Sequence, residues 1–152
     1  EGYLAALQAR KVAALPGIRV DGWERQVGAQ AVETLLEECP RGDDRPDAIF
    51  AFNDTLALGA LRALLHHGVR VPSEIAVVSI DDINEAAYAT PSLTSIAPDL
   101  DSIAEEALTL LDNQIEHRSS GQPPRQVWVP FTLAVRESTG QSGQGRPLAV
   151  TP

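Results

Sequence analysis

Two short apolar runs end abruptly in acid and amide side chains, and they limit the possible folds more than any other feature of this chain. Ala48-Ile49-Phe50-Ala51-Phe52 runs into Asn53-Asp54, and Ile75-Ala76-Val77-Val78-Ser79-Ile80 runs into Asp81-Asp82. Each run has the length and composition of a buried strand. A helical pattern follows Asp54 directly, so the first junction is a strand-to-helix turn. In open α/β sheets the crevice beyond the carboxyl ends of the strands is where ligands bind. Both junctions put hydrogen-bonding side chains there, which points to recognition of something small.

The rest of the chain fits the same architecture. Helical spacing runs from Tyr3 through Leu4, Leu7 and Val12 to Leu15, where Pro16-Gly17 stops it. Ile18-Arg19-Val20 is a short strand candidate ending in Asp21-Gly22-Trp23. A helix then carries Val27, Ala31, Leu35 and Leu36 and closes near Cys39-Pro40, before a charged loop over Arg41–Pro46. The strand Ala48–Phe52 precedes a helix with Leu56, Leu58, Leu61, Leu64 and Leu65, ended by Gly68. After the strand Ile75–Ile80, Asn84–Tyr88 has room for one helical turn and Pro91–Ile96 is extended. Asp99–His117 is a long amphipathic helix with Ile103, Ala107, Leu110, Leu111 and Ile115 in register, and Asp99 or Asp101 near its start. Ser119–Arg125 is a loop, and Gln126–Val135 alternates as a final strand. Strand and helix alternate, so the fold class is α/β, with a mainly parallel sheet flanked by helices.

Composition removes several functions. The net charge of −9 argues against a nucleic-acid surface on these residues, because phosphate binding needs clustered Lys and Arg. Lys11 is the only lysine, which excludes most Lys-dependent phosphate cradles and Schiff-base chemistry. Cys39 stands alone, so there is no disulfide framework, and a reducing compartment fits. No apolar stretch is long enough to span a bilayer, and no membrane partner is expected. The segment 141–152 is polar and Gly-rich at its start and is expected to be a disordered tail. The opening at Glu1-Gly2-Tyr3, already helical and without an initiator methionine, is expected to be a cut edge.

Each candidate site residue has a structural alternative. Asn53 suits a helix cap. Its amide also donates and accepts at once, which suits a pair of hydroxyls, provided that Asp54 does the capping. Asp81 and Asp82 could form only a turn and a cap. Successive strand residues point to opposite sides, so at most one of them faces a given cleft. Trp23 could be a packing residue or a flat apolar face for a sugar ring or base. His66 and His67 diverge by about 100° on a helix and are not a metal pair; they suit the helix C-terminus. Trp128 and Phe131 read as packing residues. There is no G-x-S-x-G, H-E-x-x-H, C-x-x-C or phosphate-cradling loop, and no further oxygen ligands at metal spacing, so neither an enzyme nor a cofactor is expected.

Four stretches together resemble the effector-binding core of the LacI/GalR family of bacterial transcription regulators. They are Pro46–Ala60, Gly68–Pro72 with Ile75–Asp82, Pro91–Ile96, and Leu133-Ala134-Val135-Arg136-Glu137-Ser138-Thr139. The similarity extends to Thr139. It implies a type I periplasmic-binding-protein-like fold, here incomplete. Residues 1–95 would form most of the C-terminal subdomain, 96–125 would belong to the N-terminal subdomain, and 126–140 would return as the last strand. By the same resemblance Asn53 and Asp81 are effector ligands and Trp23 is the stacking aromatic. The effector would be a neutral sugar, with a nucleoside second. The protein would be a cytoplasmic homodimer that meets operator DNA only through a helix-turn-helix headpiece absent from these residues. The sequence departs from the family at Ser79-Ile80, where Gly-Phe or Gly-Tyr is usual before the acid pair. An arginine ligand usual just before Gly2 also lies off the start. A secreted sugar receptor sharing the fold is the main alternative, and a phospho-accepting domain using Asp81 and Asp82 a weaker one. Half of an inter-subdomain core would be exposed, so the isolated chain is expected to be marginal and prone to aggregate.

Overall fold

A computed structural model describes residues 2–39, 45–116, 125–140 and 148–150. Five strands form one sheet in chain order: β1 (Ala48–Phe50), β2 (Ala76–Ile80), β3 (Thr94–Pro98), β4 (Phe131–Ala134) and β5 (Leu148–Val150). The first three are parallel, with Ala48 opposite Ala76 and Val78 opposite Thr94; β4 and β5 add on antiparallel. The helices are α1 (Gly2–Ala9), α2 (Arg25–Glu38), α3 (Asp54–His66), α4 (Asn84–Tyr88) and α5 (Leu100–Glu116).

The core lies between α2, α3 and one face of β1–β3. Val32 and Leu36 of α2 join Ala57, Ala60, Leu61 and Leu64 of α3 against Ile75, Val77 and Leu93. Ile49 and Ala51 pack onto the same cluster, as the period-two alternation of a strand requires. The two helices meet backbone to backbone: a methyl group at Gly28 would overlap the Leu56 carbonyl, and one at Gly59 would overlap the Arg25 carbonyl. α3 ends at Gly68 (φ 71°), where the Val69 N–H returns to the Leu64 carbonyl at 2.9 Å and the Gly68 N–H to Leu65 at 3.1 Å. That is the paired bonding of a glycine stop, and Val69 joins the core just beyond it.

The motif after β4 is a clasp. The buried Ser138 hydroxyl donates to the Val77 carbonyl at 2.6 Å and accepts the Thr94 N–H at 2.8 Å, bridging β2 and the start of β3. Glu137 accepts the N–H and hydroxyl of Ser92 at 2.8 and 2.9 Å. Arg136 donates to the Leu93 carbonyl at 2.7 Å and pairs with Asp82 at 2.7 Å. Pro91–Ser95 and Arg136–Thr139, distant in sequence, are therefore one structural unit.

Several expectations need correction. Ile18–Val20 is not a strand: among the described residues β1 is the sheet edge and pairs with β2 alone, and this segment does not add to it. The first helix stops at Ala9 and not near Leu15; the chain turns left-handed at Lys11 (φ 57°), and the Val12 N–H returns to Leu7 at 3.0 Å. The strand expected over Ala48–Phe52 ends at Phe50, and the one over Gln126–Val135 keeps only Phe131–Ala134, since Pro130 offers no N–H to a ladder. Trp128 and Phe131 are not packing residues, being 79% and 37% exposed. Leu148–Val150, placed in the expected disordered tail, forms β5 against β4. The rest of that tail, His117, residues 118–124, Pro40 and residues 41–44 of the charged loop lie outside the described residues.

Candidate functional site

The site begins at the carboxyl end of β1. Asn53 has extended backbone and caps α3, its Oδ1 accepting the Leu56 N–H at 2.7 Å. The cap reading of Asn53 therefore holds, and the alternative in which Asp54 caps and leaves Asn53 free does not. Asp54 instead turns inward and is wholly buried, where the hydroxyls of Ser79 and Ser95 donate to Oδ1 and the Ile83 N–H donates to Oδ2 at 2.8 Å. Ser95 makes its bond at 2.6 Å. The Asn53 amide nitrogen donates to the Trp23 carbonyl at 3.4 Å. One amide hydrogen and one oxygen lone pair remain for a further partner.

The second arm is the turn after β2. Asp81 and Asp82 both have positive φ, 119° and 52°, in the region L residues seldom occupy. The turn is pinned by three backbone donors: Asp81 N–H to the Ile96 carbonyl at 2.9 Å, Asp82 N–H to Ser95 Oγ at 3.0 Å, and Ile83 N–H to Asp54. The two acids then part company. Asp82 is half-buried and paired with Arg136, whereas Asp81 is exposed. Burial first, and then the nearby charge of Asp54, raises the Asp81 carboxyl above its ordinary 3.8, and the Asp54 N–H partly offsets the rise. The Asp81 carboxylate thus lies against the backbone of the residue after Asn53.

Trp23 follows Gly22 and is 64% exposed, so its indole is not a packing residue. Its backbone N–H donates to the Glu24 carboxylate at 3.0 Å. Trp23, Asn53 and Asp81 therefore share one neighbourhood, with Asn53 between the other two. Together they offer a carboxylate acceptor, an amide and a flat apolar face. The two histidines stack edge-on at 5.4 Å at the end of α3, away from these groups in sequence and fold. Among the described residues no cluster of His, Cys, Asp or Glu could hold a metal, and no helix is long and apolar enough to cross a membrane.

Sequence reasoning missed the supporting layer: Asp54 as a buried node, its serines Ser79 and Ser95, and Arg136 as the partner of Asp82. A signal was available. Ser79 falls in the buried phase of β2 with Val77, and a buried hydroxyl needs a partner.

Residues 1–139 match the model of the periplasmic binding protein-like domain. The chain is 29% identical over 140 residues to the HTH-type transcriptional repressor PurR of Haemophilus influenzae (strain PittEE), spanning 91% of this chain and 40% of that protein. Among solved structures, a LacI-family transcriptional regulator from Sanguibacter keddieii superposes with a TM-score of 0.82 at 40% identity, over 92% of this chain and 52% of that one. A complex of the transcriptional regulator CelR with cellobiose gives 0.78 at 32% identity, over 90% and 40%. The chain therefore spans about two fifths of the curated relative and about half or less of the solved ones. It belongs to the periplasmic binding protein-like domain family, in the form that LacI-type regulators use to sense an effector.

Proposed function

We propose that these residues sense a sugar at a cleft lined by Trp23, Asn53 and Asp81, and that the sugar controls operator binding by a LacI-type regulator. The observation that carries this reading is the division of labour in the acid pair. Arg136 engages Asp82, which leaves Asp81 to accept from a ligand beside the Asn53 amide. An acceptor, a donor–acceptor and an exposed indole suit the hydroxyls and apolar face of a neutral sugar ring. The cellobiose bound to CelR supports that choice.

In this proposal residues 1–95 and 126–140 form one subdomain and 96–125 belongs to the other. The uncovered apolar stripe of α5 supports that division. The ligand binds between the subdomains and favours one relative orientation. It can shift the equilibrium only by its differential affinity for the two states. The protein acts in the cytoplasm as a homodimer, without catalysis, and reaches DNA through a headpiece outside these residues.

The test is calorimetric titration of the native polypeptide with cellobiose, then with mono- and disaccharides, and with nucleosides as a counter-series. Saturable sugar binding, weakened in Asp81→Ala by about tenfold or more, is expected from the loss of a charge-assisted hydrogen bond. Undiminished binding in the variant removes Asp81 from the site. Binding of nucleosides alone overturns the sugar.

A further inference from the structure

We propose that Asp54 is the positioning residue of the effector site: from inside the core, with Ser95, it holds the left-handed turn that presents Asp81. The proposal rests on Asp81 being an effector ligand, and its test separates the two.

The geometry supplies the argument. A buried carboxylate is costly unless its lone pairs are used, and Asp54 uses them on three donors from three places. Ser79 comes from β2, Ser95 from β3, and the Ile83 N–H from the residue just past the Asp81–Asp82 turn. Ser95 has a second task, since its Oγ also accepts the Asp82 N–H at 3.0 Å. Two successive amides of the turn therefore end on Asp54 or on a group that Asp54 holds. Asp81 and Asp82 have φ of 119° and 52°, and unfavourable backbone of this kind persists only where the surroundings over-determine it. Ser79 touches Asp54 but not the turn, so it serves as a built-in control.

Asn53 and Asp54 are neighbours with divided roles. Asn53 starts α3 and faces Trp23; Asp54 points the other way and sets the opposite wall of the same cleft. One strand end thus aligns both arms of the site. The charged groups near Asp81 are Asp54 from α3, Asp82 beside it in the chain, and Arg136 after β4, which is engaged by Asp82. Glu85 of α4 is paired with Arg25 of α2. Asp54 is the group whose charge raises the Asp81 carboxyl, after burial itself.

Asp54→Asn keeps the shape but puts an NH₂ against either the serines or the Ile83 N–H, so one donor always lacks its acceptor. In the native polypeptide the Asp81 carboxyl is titrated by carbon-detected NMR, and cellobiose affinity is measured against pH. Asp54→Asn is expected to move the Asp81 titration down towards its ordinary value and shift the acid limb of binding the same way. Cellobiose affinity at neutral pH falls about tenfold, the scale of a hydrogen bond to a charged group. Should Asp54→Asn not fold, Ser95→Ala is the second variant, expected to expose the Asp82 amide to exchange and weaken binding more than Ser79→Ala. An Asp81 titration and acid limb unmoved in Asp54→Asn, or Ser95→Ala and Ser79→Ala behaving alike, overturns the positioning role. Cellobiose binding that survives Asp81→Ala overturns the effector reading instead, whatever the Asp81 titration does.

Discussion

Helices α3 and α5 have comparable amphipathic sequences and opposite fates. α3 buries eight of its 13 residues, among them Leu56, Leu61 and Leu64. α5 is longer at 17 residues, yet none of residues 100–115 is buried, and Ile103, Leu108, Leu111 and Ile115 are all exposed. A period of 3.6 therefore records that a helix has a face to cover, not that the cover is at hand. For α3 the cover lies in the sheet and in α2, the elements that flank it in the chain. For α5 none of the described residues supplies it.

The sharpest way to break this comparison is to truncate one leucine on each helix. Leu64→Ala should cost about 3 kcal/mol, the usual scale for emptying a packed leucine site, read as a lower urea midpoint at unchanged slope. Leu111→Ala should change stability by less than about 0.5 kcal/mol, as expected of an exposed position. Equal costs would mean that α5 is packed after all.

The smallest expected effect distinguishes the helix starts. α3 is capped by the neutral amide of Asn53, and α5 by Asp99, whose carboxylate takes the Ser102 N–H at 3.0 Å and its hydroxyl at 2.9 Å. The Ser102 N–H first, then the hydroxyl, lower the Asp99 pKa from its ordinary 3.8. The folded state thus binds that proton less readily than the unfolded chain does. The stabilisation is complete above the ordinary value and disappears as pH falls through the lowered one. Glu137 behaves alike through Ser92, from an ordinary 4.5, whereas Asp81, raised, acts oppositely: its ionisation disfavours the fold as pH climbs past 3.8. Acid should therefore loosen the start of α5 before that of α3. Amide exchange at Ser102 and Leu56 reads this directly, and simultaneous loss of protection would remove the distinction.

Much of the sheet and its helices was legible in the sequence because the signals were local. The length and composition of the two apolar runs marked β1 and β2, and Gly68 marked the end of α3 at the residue where the chain turns left-handed. Asn53, Asp81 and Trp23 were singled out because polar or aromatic groups stood at strand ends. What escaped were choices that tertiary geometry makes. That Asp54 turns inward beneath the Asn53 cap depends on Ser79 and Ser95, from strands that lie beside β1 only after folding. Which member of the acid pair remains accessible depends on Arg136, far along the chain. Ile18–Val20 has strand composition but joins no ladder, and propensity alone does not make a strand.

The clasp of Arg136–Thr139 also sets the order in which this molecule can be completed. A nascent chain leaves the ribosome from its N-terminus, so β1–β3 and the helices between them are available before the residues that seal them. Until Ser138 emerges, the Val77 carbonyl and Thr94 N–H lack it; until Arg136 emerges, Asp82 lacks its counter-charge. The turn that offers Asp81 therefore becomes fully defined only once residues 136–138 have joined β2 and β3, long after the turn itself has been made.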